Sequence, residues 1–171
     1  MKSYELFEHM SPELASEILS YLQKEQTPVF KSVVQGVATQ RNLRPVFIER
    51  KAPGERYAWI KTALARKANE TLAAHLLQAW LLGAQTPMLC QFLDSLGIKH
   101  DEDGTVEQLP DSPPKEELGK AIDQLLTKYP AEIVAVYLQA FHDMDSTISW
   151  PPLGEILAED DRLRLKPAGS D

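Results

Sequence analysis

A basic stretch between positions 41 and 67 is the part of the sequence best suited to binding another molecule. It holds eight Lys and Arg residues against two acidic ones, a net charge of +6, whereas the whole chain carries −7. Tyr57 and Trp59 lie inside it. Cations beside aromatic rings can hold phosphates and stack on bases, or they can bind an acidic protein. The simplest interpretation is a solvated face whose charges pair within this chain, followed by an acidic protein partner and then by nucleic acid. The predicted partner-binding residues are Arg41, Arg44, Arg50, Lys51, Arg56, Tyr57 and Lys61.

The acidic loop His100–Glu107 has the composition of a calcium-binding loop but not its ligand pattern. With Gly104 as the sixth position of such a loop, the first position is Lys99 and the twelfth is Pro110. Calcium loops require carboxylates at both of these positions. We therefore predict an Asp-Gly turn in a solvated linker, with a short hairpin as one form that it can take.

The histidines and the single cysteine offer little support for catalysis. His142 lies near a predicted helix end, without a second histidine or a cysteine pair at the spacing of zinc ligands. His75 is predicted to be buried or half-buried and bonded to a backbone carbonyl, and Cys90 to be a packed thiol with no neighbouring base. The sequence thus predicts no catalytic residue, metal or cofactor. An enzyme using His75, His142 or Glu155 from distant helices remains an alternative.

Apolar spacing and proline positions predict an all-α fold of about eight helices. A hydroxyl residue precedes proline at four places, where it can cap a helix whose first turn accepts the proline: Ser11-Pro12, Thr27-Pro28, Thr86-Pro87 and Ser112-Pro113. Gly83 and Gly97 are predicted helix ends. The predicted helices are Pro12–Gln26, Pro28–Gln40, Glu55–Ala68, Glu70–Leu82, Pro87–Leu96, Pro113–Tyr129, Ala131–Met144 and Pro152–Asp161.

The segment Leu43–Gly54 is predicted to be extended. Pro45 disfavours the helical conformation at Arg44, and the β-branched residues of Pro45–Ile48 favour a pleated backbone. Such a strand could pair with Thr105–Glu107 in the other long linker or offer its edge to a partner. We favour the internal pairing, because both linkers join consecutive helical units.

Internal similarity predicts three tandem units within one domain that spans residues 1–171. Leu77-Gln78-Ala79-Trp80 recurs 61 positions later as Leu138-Gln139-Ala140-Phe141, and Thr27-Pro28 recurs 59 positions later as Thr86-Pro87. The predicted units cover residues 8–42, 55–97 and 113–162, followed by a flexible tail over residues 166–171.

The middle helices of the two longer units are predicted to lie at the centre of the fold. Both Leu72–Leu82 and Ile133–Phe141 are apolar on nearly every side, which is typical of a helix enclosed by its neighbours. Trp80 and Phe141 then become equivalent core residues. The whole is expected to be a compact helical repeat or bundle.

Composition places the chain among globular proteins. Its 171 residues are 43% hydrophobic and 25% charged, too apolar for a disordered chain and sufficient for a core. The lone cysteine excludes an internal disulfide framework and favours a reducing compartment. Acidic residues interrupt the N-terminus where a signal peptide needs an apolar run, and no stretch is apolar enough to span a membrane. A cytoplasmic protein without membrane association is predicted.

The segment from Phe92 to Gly104, with the proline-rich linker after it, resembles an uncharacterised family of bacterial all-helical proteins. The resemblance covers about Leu89–Leu165 and implies no known activity and no site residues. The paired helices are also similar, more distantly, to repeat scaffolds of the HEAT or armadillo kind. The repeat length of those scaffolds is shorter than the roughly 60 residues inferred here.

The first functional hypothesis is a protein-interaction module that binds an unknown protein partner, for which an acidic surface would complement the basic stretch. Stacked helix pairs offer a groove, and the asymmetric charge would guide the contact. The second hypothesis is nucleic-acid binding through Arg41, Arg44, Arg50, Arg56 and Lys61. The third is the enzyme with a site assembled from distant helices.

Overall fold

A computed structural model describes residues 1–143 and 150–165, and over these ranges the chain is helical with no β-strand. This confirms the predicted all-α fold. Two short 3₁₀ turns, Lys67–Asn69 and Asp161–Leu163, accompany the α-helices. The helices are α1 (Ser3–His9), α2 (Pro12–Glu25), α3 (Thr27–Gln40), α4 (Val46–Glu49), α5 (Pro53–Leu64), α6 (Glu70–Ala84), α7 (Thr86–Ser95), α8 (Lys115–Lys128), α9 (Ala131–Asp143) and α10 (Pro151–Glu159).

The first compact unit covers Met1–Trp80 and is built on the packing of α5 against α1, α2 and α3. Its core contains Leu19, Val33 and Ile60, which are completely buried. Helix α1 is not among the predicted helices, and its first turn depends on a residue far along the chain. The carboxylate of Glu70 accepts hydrogen bonds from the backbone N–H groups of Ser3 (3.2 Å) and Tyr4 (2.9 Å), which have no partner inside their own helix.

The second compact unit comprises the described residues of Leu81–Leu165, in which α8 packs against α7, α9 and α10. Helix α9 has six consecutive buried residues, Ile133–Leu138, as predicted for a helix enclosed by its neighbours. Phe141 lies beside Phe92 and Trp150, with ring centroids 5.7 and 5.1 Å away. The indole N–H of Trp150 donates to the carbonyl of Pro110 at 3.3 Å.

The prediction of an extended segment near position 45 is wrong. Val46–Glu49 is a single helical turn, and Thr105–Glu107 is not a strand, so the proposed pairing does not exist. The cause lies at the end of α3, where Asn42 adopts a left-handed conformation (φ 53°) and the N–H of Leu43 bonds back to the carbonyl of Ala38. Pro45 follows in a helical conformation and starts a new helix.

The capping prediction is confirmed for Ser11 and wrong for the other three hydroxyls. The Ser11 hydroxyl accepts from the N–H of Leu14 at 3.1 Å. Thr27 and Thr86 are the first residues of their helices, and their hydroxyls donate back to the carbonyls of Gln23 and Leu82 in the preceding helix. The reason is that a glutamine takes the cap position in both Gln-Thr-Pro sequences.

At the fourth predicted capping site, Ser112 stands outside the helix. Its hydroxyl donates to the carbonyl of Pro113, and α8 begins two residues later than predicted, after Pro114. Gly97 ends α7 with a left-handed φ of 66°, as predicted, whereas Gly83 lies inside α6. The predicted end of the seventh helix at Met144 and the flexible tail at 166–171 lie outside the described residues.

The predicted repeat and the single domain stay predictions, although some of their features can be compared. Gln26 and Gln85 each donate a backbone N–H to the residue four positions earlier, at 3.0 Å in both cases. The Gln-Thr-Pro junctions thus share one local geometry. Trp80, however, is almost fully buried whereas Phe141 is only half-buried. The two aromatic side chains are therefore not equally enclosed.

Candidate functional site: an apolar and basic patch around α4

The seven predicted partner-binding residues separate into two groups. Arg41, Arg44 and Arg50 are exposed on the segment that carries α4. The remaining four are half-buried: Lys51, Arg56, Tyr57 and Lys61. The first group is therefore the more accessible one to a partner.

The half-buried residues hold the first unit together. Lys51 forms an ion pair with Glu55, and the Arg56 guanidinium donates to the carbonyl of Lys51 at 2.9 Å. The hydroxyl of Tyr57 donates to the side-chain oxygen of Gln23 at 2.7 Å, which ties α5 to α2. The Lys61 ammonium reaches the carbonyl of Glu8, at 3.4 Å. These contacts fix the turn between α4 and α5 and the position of α5.

Three exposed apolar side chains lie among the exposed arginines. Leu43, Val46 and Phe47 are 40%, 37% and 59% exposed, and no other large hydrophobic residue is exposed in the described ranges. Their neighbour Ile48 is 1% exposed and anchors the helical turn in the core. We call the six residues Arg41, Leu43, Arg44, Val46, Phe47 and Arg50 the α4 patch.

Charge along the sequence predicts the arginines of the patch but not its apolar members. The apolar residues were expected to form a strand that pairs internally or offers its edge to a partner. The sequence did contain a sign that these apolar residues are exposed. No further apolar residues follow them at helical spacing, so they do not belong to a longer helix with a buried face. A short apolar cluster inside a basic stretch has little else to pack against.

The patch carries three arginines, and the stretch 41–50 that contains it has a single acid, Glu49. The Arg41 guanidinium lies 5.6 Å from the ring centroid of Trp59, a cation–π contact that holds it against α5. Arginine remains charged at all physiological pH values and is less strongly hydrated than lysine, which suits it to interfaces.

The acidic loop forms the predicted Asp-Gly turn. Asp101 and Thr105 are joined by a backbone hydrogen bond of 2.8 Å, and Gly104 has a φ of 82° that favours glycine. The Asp103 carboxylate accepts from the N–H and hydroxyl of Thr105, and these bonds lower its pKa. Within the described part of the chain, no three His, Cys, Asp or Glu residues are placed to hold a metal ion.

The candidate catalytic residues lie in unpromising surroundings. His75 is exposed, so its predicted burial is wrong: Leu76, Leu77 and Trp80 form the buried face of α6, and His75 is off that face. The ring of His142 packs closely over Gly154.

The Cys90 thiol donates to the carbonyl of Glu102 at 3.7 Å. Burial, and then the nearby Asp94 and Asp103, raise the pKa of this thiol. A raised pKa opposes activation of the thiol as a nucleophile.

A shallow hollow of about 310 Å³ in the second unit is bordered by α8 and α10. Each of its two cations already has two carboxylate partners. Lys115 contacts Glu155 and Glu159 at 3.1 and 2.9 Å, and Arg162 contacts Asp123 and Asp160 at 2.8 and 2.6 Å. The ion pairs of Lys115 bridge α8 and α10. The positive charges in the hollow are therefore balanced by carboxylates of the chain and need no bound anion. Glu155, named above as a catalytic candidate, takes part in this bridge.

Comparison with known proteins gives no precedent for the α4 patch. No protein-family model matches the sequence, and no curated protein or solved structure shows significant similarity to it. The resemblance to bacterial all-helical proteins and to HEAT or armadillo scaffolds stays a prediction. Among the described helices, none is both long and apolar enough to cross a lipid bilayer.

Proposed function

We propose that this chain is a non-catalytic protein-interaction module and that the α4 patch is its contact surface. The observation that carries the proposal is the coincidence of exposure, apolarity and charge in one ten-residue stretch. The exposed large hydrophobic residues of the described ranges lie there together, interleaved with three exposed arginines. The proposal retains the predicted cytoplasmic location, in keeping with a free Cys90 thiol.

The composition of the patch is that of an interface centre. Single exposed apolar residues are common on protein surfaces, but a cluster of them marks an interaction site. Aromatic residues and arginine are enriched where proteins bind each other, and lysine is depleted. The patch has Phe47 and three arginines, and it has no lysine.

Nucleic-acid binding is the weaker proposal. Two of the five residues named for it, Arg56 and Lys61, contact backbone carbonyls of the first unit. The remaining three arginines lie among Leu43, Val46 and Phe47, and the two aliphatic side chains of this group gain little from phosphates or bases. The chain's net charge of −7 also repels a polyanion at long range. An enzymatic function is supported by no arrangement described above.

The proposal is tested by affinity capture with the full-length protein in its native host. Phe47→Ser removes the apolar anchor and Arg44→Glu reverses a patch charge. Arg66→Glu is the matched control, since it makes the same charge change at an exposed position inside the basic stretch but outside the patch. We expect a specific protein to be retained by the wild type and the control and lost by both patch variants. Equal recovery with all four chains, or none above background, would refute the proposal.

A further inference from the structure

We infer that the α4 patch docks into an apolar pocket rimmed by carboxylates on a folded protein partner. This inference rests on the proposed function and adds the chemistry of the surface that the patch recognises. It follows from three properties of the patch: the protrusion of Phe47, the rigidity of the turn that carries it, and the sign of the surrounding charge.

Phe47 has the exposure expected of an anchor residue. At 59% exposed it is the most exposed of the large hydrophobic side chains described, while the adjacent Ile48 is buried. One helical turn therefore points one apolar side chain into the core and the next one out to solvent. A projecting ring of this kind is buried fully only by a concave surface, so the partner must supply a pocket.

The turn is fixed at both ends before any partner binds. On its N-terminal side, the N–H of Leu43 donates to the carbonyl of Ala38 at 2.9 Å, which closes the end of α3. On its C-terminal side, Arg56 holds the carbonyl of Lys51. Because the backbone is already ordered, docking costs less conformational entropy than the folding of a loose loop would. A preformed patch suits a preformed pocket.

The positive charge of the patch indicates the charge expected at the rim of the partner's pocket. Arg41, Arg44 and Arg50 outnumber the one acid in the stretch, Glu49, so carboxylates around the pocket would be complementary. A second copy docking patch to patch would place arginine against arginine, because symmetric dimers use the same surface on both subunits. The patch therefore disfavours that mode of self-association.

An anionic membrane fits the patch less well than a protein does. The part of the chain outside positions 41–67 has 10 basic and 23 acidic residues, a net charge of −13, which an anionic surface repels. Helix α4 has only four residues, far fewer than an amphipathic helix lying in a lipid interface. The turn presents two exposed apolar side chains, Val46 and Phe47, with Leu43 just before it, and so small an apolar surface matches a pocket better than a bilayer.

The test places a photo-crosslinking phenylalanine analogue at position 47 of the full-length chain in its native host. The matched control carries the analogue at Lys31, an exposed position on α3 outside the patch. Cross-linked residues are mapped by mass spectrometry, and the dissociation constant of the purified complex is measured at two salt concentrations. Vesicles of phosphatidylserine and a single-stranded oligonucleotide are tested as alternative probes with the wild-type protein.

We expect cross-links from position 47, and not from position 31, to an apolar site bordered by Asp or Glu in one partner. Arg44→Glu should weaken binding about tenfold, and reversal of a partner carboxylate to Lys should recover most of the loss. A protein cross-link with binding indifferent to salt and to Arg44→Glu overturns this inference but leaves the interaction function standing. Cross-links to a second copy of this chain overturn it too. Binding only to vesicles or oligonucleotide, or no cross-link above the control, overturns both.

Discussion

At the scale of single residues, Asn69 is a polar side chain placed in the core of the first unit. It is 3% exposed, and its amide nitrogen donates to the carbonyl of Ala63 at 2.7 Å. This bond links the 3₁₀ turn to the last residues of α5. The Ala63 carbonyl also accepts the backbone N–H of Arg66 at 3.3 Å, so Asn69 supplies the shorter of these two bonds. The side-chain oxygen of Asn69 is buried without a hydrogen-bond partner, which offsets part of the gain from the amide bond.

We therefore expect Asn69→Ala to lower the free energy of unfolding by about 1 kcal/mol, the net contribution of one hydrogen bond, measured by urea denaturation. Gln78→Ala serves as the control, because Gln78 is exposed on α6 and surface substitutions usually change stability by less than about 0.5 kcal/mol. If both variants unfold at the same urea concentration, the Asn69 bond does not stabilise the fold.

His100 is a second residue whose surroundings lead to a measurable prediction. Its Nδ1 atom lies 2.7 Å from the carbonyl of Asp101 and its Nε2 atom 3.1 Å from the carboxylate of Asp94. Both partners are hydrogen-bond acceptors, so the doubly protonated ring suits them best. The Asp101 carbonyl first, and then Asp94, raise the pKa of His100 above its usual value of 6.5.

The sign of the pH effect follows from this direction. A pKa that is higher in the folded chain than in the unfolded chain contributes stability at pH values below 6.5, and this contribution disappears as the pH rises through the folded value. An NMR titration should find the pKa of His100 above 6.5. Asp94→Asn should lower this pKa without removing the whole shift. Titration of the wild-type ring at or below 6.5 would contradict the geometry.

At the scale of helices, Ser11 and Thr27 form a natural comparison. Both precede a proline at the start of a helix, but only the Ser11 hydroxyl accepts a bond from its own helix. Loss of such a cap costs about 1 kcal/mol, whereas the exposed bond of Thr27 to a carbonyl of the preceding helix should matter less. We expect Ser11→Ala to reduce the thermal midpoint clearly more than Thr27→Ala does. The reverse order would show that the cap of α2 is unimportant.

The helices that are predicted well are those whose start and buried face are determined by residues close together in the sequence. Helices α2 and α3 follow from apolar residues at helical spacing and begin within one residue of the predicted positions. Helix α1 could not be predicted in this way, because its first turn is capped by Glu70, over 60 positions away. Helix α4 was missed because the left-handed Asn42 redirects the chain, which local β-propensity does not reveal.

The site shows the same division between local and distant information. Charge can be counted along the sequence, so the arginines of the patch were predicted. Exposure cannot be counted in this way: Val46, Phe47 and Ile48 are three apolar neighbours, and only the packing of the first unit buries Ile48 and leaves the other two exposed. Likewise, His75 on the apolar α6 is exposed because the buried face is set by tertiary contacts.

At the scale of the whole molecule, the charge pattern predicts how copies of the chain interact. The net charge is −7 at pH 7, and the sequence isoelectric point is about 5.1. At pH 8 long-range repulsion keeps copies apart. Near pH 5 that repulsion fades, and the α4 patch of one copy can meet acidic surfaces of another. Such contacts would be weak and nonspecific, in contrast with the symmetric pairing argued against above.

Sedimentation velocity at low salt should therefore show a monomer at pH 8 and reversible association near pH 5. Phe47→Ser should suppress the association without altering the formal charge, because it removes the most exposed apolar side chain. Ala58→Ser, at an exposed position on α5, is the charge-neutral control and should associate like the wild type. Equal association of both variants would mean that the loss of net charge alone drives it. The exposed side chain of Phe47 would then contribute nothing to association at the isoelectric point.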